Sequence, residues 1–390
     1  MRIALDGFPL SSPKTGIGHY TFELARTLAQ ISPEDSFELI SPLPFSDSVI
    51  EEVQQLSLKN LILNYPEAAS FRRRWWAIGL PFFLRQNSFD LFHGTNYEVP
   101  LWNRKRNVLT IHDLSLLLHP EYHEPHLVQR ARRRLPLMLR SATRIIAVSE
   151  SMKLEICEYL KLKPERVAVT QEAPRKTFRP ASTSETTVTI ERLGIEPDFM
   201  LTVGTIEPRK NLLTLARALD QILRRTSLRP QLVIAGGEGW LTDNLYSFIK
   251  SSGIGNLVRF IGYTSDEDLR ALYSSCRVCV YPSFYEGFGL PPLEAMACGA
   301  PVITSRVPAI VETVGNAAFL VNPGSVEELA AAIIQLWNSP ERRLQLSQAG
   351  LQRAADFSWE KTAKLTLGVY RDVLARKAPD SERGQATLPD

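Results

Sequence analysis

The chain has 390 residues, too many for one small module and suited to two or three domains at roughly 100–200 residues each. Hydrophobic residues make up 44%, charged residues 22% and aromatics 9%, which is enough apolar side chain for complete cores and not the composition of a disordered protein. The 45 Lys and Arg barely exceed the 42 Asp and Glu, a formal +3, so no overall field draws the chain to nucleic acid and any basic surface is local.

Four cysteines do not make a disulfide framework in a chain of this length, and MRIALDGFPL enters a strand pattern without the charged and apolar regions of a secretion signal. No stretch of 18 consecutive apolar residues suggests a membrane span, and the longest approach to one contains Pro81. A reducing cytoplasm is the expected setting.

Strand-like runs occur at 2–6, 37–40, 60–64, 90–92, 108–111, 144–148 and 167–170, with helix-like segments between most of them. Continuous apolar runs such as RIIAV lack polar alternation, as expected of strands covered on both faces of a parallel sheet. From 175 to 195 the periodicity stops, and the polar, β-branched stretch around ASTSETT predicts a linker. Alternation then resumes. Strands are expected at 199–205, 231–235, 257–261, 277–281, 301–304 and 319–321, and helices from near Asn211, Trp240, Ser265, Pro291 and Val326. Ser265 and Ser358 are placed to cap helices, the second of them a final helix from Trp359 to about Ala375. The pattern predicts two doubly wound α/β halves, with ligands at strand carboxyl ends.

The segment YPSFYEGFGLPPLEAMACGAP, 281–301, reads as a strand end, a glycine-bearing loop and a helix opened by Pro291 and Pro292. Gly287 and Gly289 leave room for a ligand, and a helix N-terminus offers N–H groups to a phosphate or sugar oxygen. Glu286 and Glu294 bracket the loop with seven residues between them. Carboxylates accept bonds from vicinal hydroxyls, which suits a ribose or a hexose, although Glu294 alone also fits as a complement to the helix dipole. In VGTIEPRKN, a strand ends at Gly204 and Thr205, and Arg209 and Lys210 precede the next helix. Two cations there suit a diphosphate, and they suit a solvated loop equally well. His112 follows the apolar run VLTI at a strand end, beside Asp113. All six histidines lie within the first 126 residues, so any imidazole is expected from the N-terminal domain. Gly16 and Gly18 follow the first strand, but Thr21 stands where a dinucleotide fingerprint would have its third glycine, so a nicotinamide site is disfavoured.

Taken together, the E-x7-E run, Gly16-Ile17-Gly18, His112-Asp113, VGTIEPRKN, AGGEG and FSWEKTA resemble the retaining nucleotide-sugar glycosyltransferases of family 4, across nearly the whole chain. The resemblance implies the GT-B fold: two facing Rossmann-like domains with parallel sheets and an inter-domain cleft. It divides the chain into an acceptor-binding domain at 1–175, a linker at 176–195 and a nucleotide-sugar-binding domain at 196–356. A helix at 357–376 then crosses back to the N-terminal domain, and a flexible tail occupies 377–390.

It further implies that Glu286 holds donor-sugar hydroxyls and Glu294 the ribose, and that Phe288, Gly289 and Leu290 present amides. Gly204, Arg209 and Lys210 face the diphosphate, Gly16 and Gly18 form a loop closing over donor phosphate and acceptor, and His112 lies beside the sugar with Asp113 behind it. No metal and no cofactor is implied beyond the donor as co-substrate. The cast of GIGHYTFELA and IHDLSLLLHPE is similar to bacterial mannosyltransferases that build polysaccharide or lipopolysaccharide, which favours GDP-mannose over a UDP-sugar, with a glycan or lipid-linked acceptor. One departure is Gln171-Glu172-Ala173-Pro174, where relatives often have an N-G-V-D-like turn. A GT-B sugar-nucleotide epimerase and a noncatalytic sugar-nucleotide binding module are the competing readings.

Other signals point elsewhere. Cys276 and Cys279 have no second pair to complete a zinc site and read as buried thiols. His119, His123 and His126 read as loop residues, because Pro120 and Pro125 interrupt any helix that would align them, and Asp266 and Asp268 read as dipole-complementing. Arg72, Arg73 and Arg74 before Trp75 and Trp76, with a second arginine cluster at 130–134, form either solvated faces or a contact with an anionic membrane surface or a lipid-linked acceptor.

Overall fold

The computed structural model describes residues 1–66, 74–101 and 106–375. Arg72, Arg73 and the tail at 377–390 lie outside the described residues. The chain forms two compact units: 1–114, 128–172 and 358 onward make the first, and 115–127 with 173–357 make the second.

In the first unit, β1 (Arg2–Asp6), β2 (Ser36–Ile40), β3 (Leu61–Asn64), β4 (Leu91–Gly94), β5 (Arg106–Ile111), β6 (Arg144–Ala147) and β7 (Val167–Val169) form one sheet in the order β3-β2-β1-β4-β5-β6-β7. Every pairing is parallel, and Ile3 lies between Phe37 on one side and Leu91 on the other. Both sheet faces are covered, so Ile3, Ala4 and Leu5 are fully buried, which is why the strand reads as an uninterrupted apolar run. The order reverses between β1 and β4.

The helix Gly16–Ile31 follows β1, and the last helix, Trp359–Ala375, packs against it. Tyr20 meets Trp359 edge-on at 5.9 Å, the Thr362 hydroxyl donates to Gln171 O at 2.5 Å, and Tyr370 OH lies 2.6 Å from His93 Nδ1. Ser358 caps this helix through the Lys361 amide at 3.2 Å. Gly16 and Gly18 stand in the first turn of their helix and not in a loop before it, because the helical pattern starts three residues ahead of His19.

In the second unit, β8 (Phe199–Val203), β9 (Gln231–Ala235), β10 (Val258–Gly262), β11 (Val278–Tyr281), β12 (Val302–Ser305) and β13 (Phe319–Val321) form a parallel sheet ordered β10-β9-β8-β11-β12-β13. Its core joins Met200, Leu232 and Val280 of the strands to Leu215 and Leu219 of the helix Leu212–Arg225 and to Ile333 of the helix Val326–Asn338, all essentially inaccessible to solvent. Truncating one such leucine to alanine in a packed core costs about 2–5 kcal/mol.

Two more expectations are corrected here. The stretch read as a linker contains the helix Thr183–Leu193, closed by Gly194 at φ 60. Its threonines suggested extended chain, but Ser182 and Glu185 form a reciprocal capping box: Ser182 Oγ accepts the Glu185 amide at 3.3 Å, and Glu185 Oε2 accepts the Ser182 amide at 2.7 Å. Local capping thus outweighs β-branched propensity. The second correction concerns the histidines. Residues 115–127, with His119 and His123, belong to the second unit, so imidazoles are not confined to the first.

Candidate functional site

In an open parallel sheet the ligand crevice lies beyond the strand carboxyl ends where the order reverses. In the second unit those strands are β8 and β11. The loop after β8 passes Gly204, at φ 138, and forms a single 3-10 turn, Pro208–Lys210. Asn211 closes that turn, its Nδ2 donating to Pro282 O at 2.9 Å and Pro323 O at 2.7 Å. The Phe284 amide donates to Arg209 O at 2.9 Å, so backbone and side-chain bonds both tie the two loops together.

Here the sheet gathers Arg209, Lys210 and Glu286. Arg209 Nη1 is 2.9 Å from Glu286 Oε2, and Nη2 is 2.6 Å from Glu207 Oε1. Lys210 Nζ lies 2.7 Å from Glu286 Oε1 and 2.6 Å from Tyr281 OH. The hydroxyls of Tyr281 and Ser283 each stand 2.7 Å from that same carboxylate oxygen. Two cations and two carboxylates therefore balance in a largely buried cluster. Burial by itself would raise the Glu286 pKa, but Arg209 and Lys210 outweigh it and hold the carboxyl at about 2. Burial, followed by repulsion from Arg209, lowers the Lys210 pKa despite Glu286.

The loop ends at Gly289, whose φ of 101 is the N-cap of the helix Leu290–Ala297. A side chain there would be strained, and its Cβ would also press on Ile310 Cγ1 at 3.3 Å. Pro291 and Pro292 carry no N–H, so the amides of Gly289 and Leu290 are the backbone donors at the start of this helix. The Phe288 ring is core, edge-on to Phe357 at 5.8 Å. Glu294 is buried in that helix and its Oε1 takes Arg175 Nη2 at 3.1 Å and Nε at 3.3 Å. Arg175 also reaches Asp266 at 2.6 Å, so Asp266 is an ion-pair partner as well as a first-turn acid. Sequence reading had no access to this triad, because Arg175 lies 119 residues from Glu294.

An aromatic wall flanks the Glu286 loop. Tyr122 stacks on Phe284 at 5.7 Å, His119 lies 4.8 Å from the Tyr285 ring, and Trp240 Nε1 donates to Tyr122 O at 2.7 Å. The proline-flanked turn Pro120–Tyr122, read as simple loop, is the piece that presents these rings.

In the first unit, His112 follows β5. Its Nε2–H donates to Thr95 O at 2.9 Å and its Nδ1 faces Glu172 Oε1 at 2.9 Å. Both neighbours are acceptors, so the doubly protonated ring satisfies both. Burial would lower the His112 pKa, but Glu172 outweighs it and the pKa is raised. Both nitrogens are engaged, so His112 meets a sugar hydroxyl only by exchanging one of these bonds. Asp113 is held through its backbone, its amide donating to Tyr97 OH at 2.8 Å, and its charge adds to the rise at His112. In the sequence, Glu172 is marked only by the departure at 171–174. Asp6, at the end of β1, is also buried: its Oδ1 accepts the Phe8 amide at 3.0 Å, and burial followed by Glu98 raises its pKa to about 8.

A raised histidine pKa contributes stability that is full below the unfolded value and lost as pH rises through the folded one. Glu172→Gln removes the charge that raises it. The variant is expected to lose more melting temperature relative to the parent near pH 6 (about) than near pH 8.5 (about), and an NMR titration should place His112 below the usual histidine value. Equal losses at both pH values would contradict the pairing.

Residues 14–171 match the model described as Glycosyltransferase Family 4, and 186–353 match Glycosyl transferases group 1. O-antigen chain mannosyltransferase B of Escherichia coli is 32% identical, over 95% of this chain and 100% of that protein. The MMP alpha-(1->4)-mannosyltransferase of Mycolicibacterium hassiacum is 28% identical, over 97% of this chain and 100% of its own. Among solved structures, Anabaena HepE in complex with UDP-glucose superposes with a TM-score of 0.74 at 19% identity, covering 95% of this chain and 99% of that one. Two parallel doubly wound sheets and sequence likeness along nearly the full length make this chain a member of glycosyltransferase family 4, with the GT-B fold.

Proposed function

We propose that the chain transfers mannose from GDP-mannose to a glycan or lipid-linked glycan acceptor in cell-surface polysaccharide synthesis, with retention of the donor's anomeric configuration. The observation that carries the donor half is the cluster of Arg209, Lys210 and Glu286 at the switch point of the second sheet. The mannose assignment is supported by the activities in the names of its bacterial relatives.

In this reading the donor's diphosphate takes over the two cations that Glu286 neutralises in the free protein. The Glu286 oxygens thereby become available to the hydroxyls of the sugar on the same molecule. Arg209 offers a planar fork and Lys210 a compact charge to the departing diphosphate, whose developing charge must be compensated in the transition state. The amides of Gly289 and Leu290 add donors, Glu294 serves the ribose from its seat on Arg175, and His112, backed by Asp113, contacts the sugar. Gly204 keeps the approach to the phosphates open, and Gly16 and Gly18 serve the same end of the donor from the first turn of their helix.

The test is a thermal-shift and calorimetry panel of GDP, UDP and ADP with their sugars, followed by transfer assays in EDTA with anomeric assignment of the product by NMR. Stabilisation by GDP-mannose and transfer with retention that survives EDTA are expected. Preference for a UDP-sugar, inversion, or donor conversion without acceptor would overturn the corresponding part.

A further inference from the structure

The first unit contains a further cluster of arginines, built from residues other than those assigned to the donor. A cavity of about 390 Å³ is lined by Arg74, Arg130 and Arg134, by Trp75 and Trp76, and by Leu43 among others. That volume lies in the range of small-molecule sites. Arg130 and Arg134 are four residues apart on the helix Pro125–Ser141 and so share a face. Arg74 arrives from a different element, at the N-cap of the turn Trp75–Gly79. The Leu101 amide donates to Trp76 O at 3.0 Å, and the Trp76 ring stands edge-on to Phe92 at 6.5 Å, which fixes the tryptophan wall.

Among the described residues the charges do not balance. Glu98 is the acid among those at this place, with Arg134 at 2.5 Å and Arg130 at 3.7 Å from its carboxylate. One carboxylate thus serves two guanidiniums while Arg74 adds a third, leaving the cavity cationic beside an indole and leucine surface. Guanidinium forks recognise phosphate oxygens, and indole faces cover apolar chain. A ligand that uses both must join a phosphate to a hydrocarbon.

We propose that this cavity binds a phosphate or diphosphate ester of an apolar chain and thereby anchors a lipid-linked acceptor. As an acceptor anchor it rests on the glycosyltransferase reading above; as a binding site it is measurable without it. Arg74 and Arg130 take the phosphate oxygens, and the tryptophans with Leu43 cover the start of the chain.

The probe is farnesyl diphosphate, titrated by calorimetry with GDP at saturation so that a diphosphate site in the second unit is occupied. Inorganic pyrophosphate, farnesol and phosphatidylglycerol vesicles are the other arms. Farnesyl diphosphate is expected to bind at least about tenfold more tightly than pyrophosphate or farnesol, since each of these supplies only half of the recognition. Arg74→Ser/Arg130→Ser should weaken it by about tenfold or more. Both side chains are exposed, so melting temperature and GDP binding should be unchanged. Leu43→Asp, at a residue 38% exposed, should weaken it as well.

Unchanged affinity in both variants, or pyrophosphate binding as tightly as the ester, would overturn the proposal. So would displacement by GDP, or binding to the vesicles without binding to the ester. Failure of the donor reading would instead appear in the GDP binding itself, with farnesyl diphosphate binding intact.

Discussion

Lys210→Ala is expected to lower kcat/KM for the donor by about 10²–10³-fold, the loss typical of removing one preorganised group from a developing negative charge. Lys210 Nζ is 2.7 Å from Glu286 and stands beside Arg209 on one 3-10 turn, so its removal leaves a single guanidinium for the diphosphate proposed to bind there. On the proposed donor reading the affinity of GDP should fall while that of guanosine stays constant, because in that reading Lys210 serves the phosphates alone. Lys210→Arg should restore little, since the buried seat against Tyr281 and Glu286 suits a compact ammonium and not a planar fork. Calorimetry with the nucleoside, the diphosphate and the sugar nucleotide separates these cases. Equal losses for guanosine and GDP would place Lys210 in the fold and not at the phosphates.

Glu286→Ala is expected to destabilise the protein by about 3–5 kcal/mol, the usual cost of breaking a buried ion pair and leaving its partners uncompensated. Here the partners are two cations held together by the carboxylate. Added GDP should recover much of the melting temperature in the variant, because a diphosphate supplies the missing negative charge, yet transfer should remain lost with the contact to the sugar. The pH dependence has a definite sign. A carboxyl held at about 2 contributes stability that is full above its unfolded value and is lost as pH falls through the folded one. The gap between parent and variant should therefore be largest above about pH 4.5 and close toward about pH 2. A constant gap across that window, or no recovery with GDP, would show that the cluster is not an anion site.

Both parallel sheets were legible because strands buried on two faces become unbroken apolar runs, as in residues 3–5 of β1 and in VCVY. The Glu286 loop was legible for a local reason: strand end, glycines and paired prolines lie within about twenty successive residues, and each constrains the next. The helix Thr183–Leu193 was misread because its threonines suggest strand, while the deciding bonds are two capping contacts at Ser182. Arg175 and Glu172 escaped notice for another reason. Their importance lies in partners 119 and 60 residues away, and their immediate neighbours carry no signal beyond the departure at 171–174.

The amino-acid sequence by itself determined the alternation of elements, the two-sheet architecture and the identity of the residues in the Glu286 loop, since periodicity, capping and turn chemistry act over a few residues. Only the tertiary structure decided that Arg209 and Lys210 are neutralised by Glu286, that Arg175 occupies Glu294, that Glu172 pairs with His112 and raises its pKa, and that residues 115–127 line the loop with aromatic rings. Such pairings depend on which strand ends the sheet order brings side by side and on how far burial strengthens a charge there, and both are properties of the folded chain.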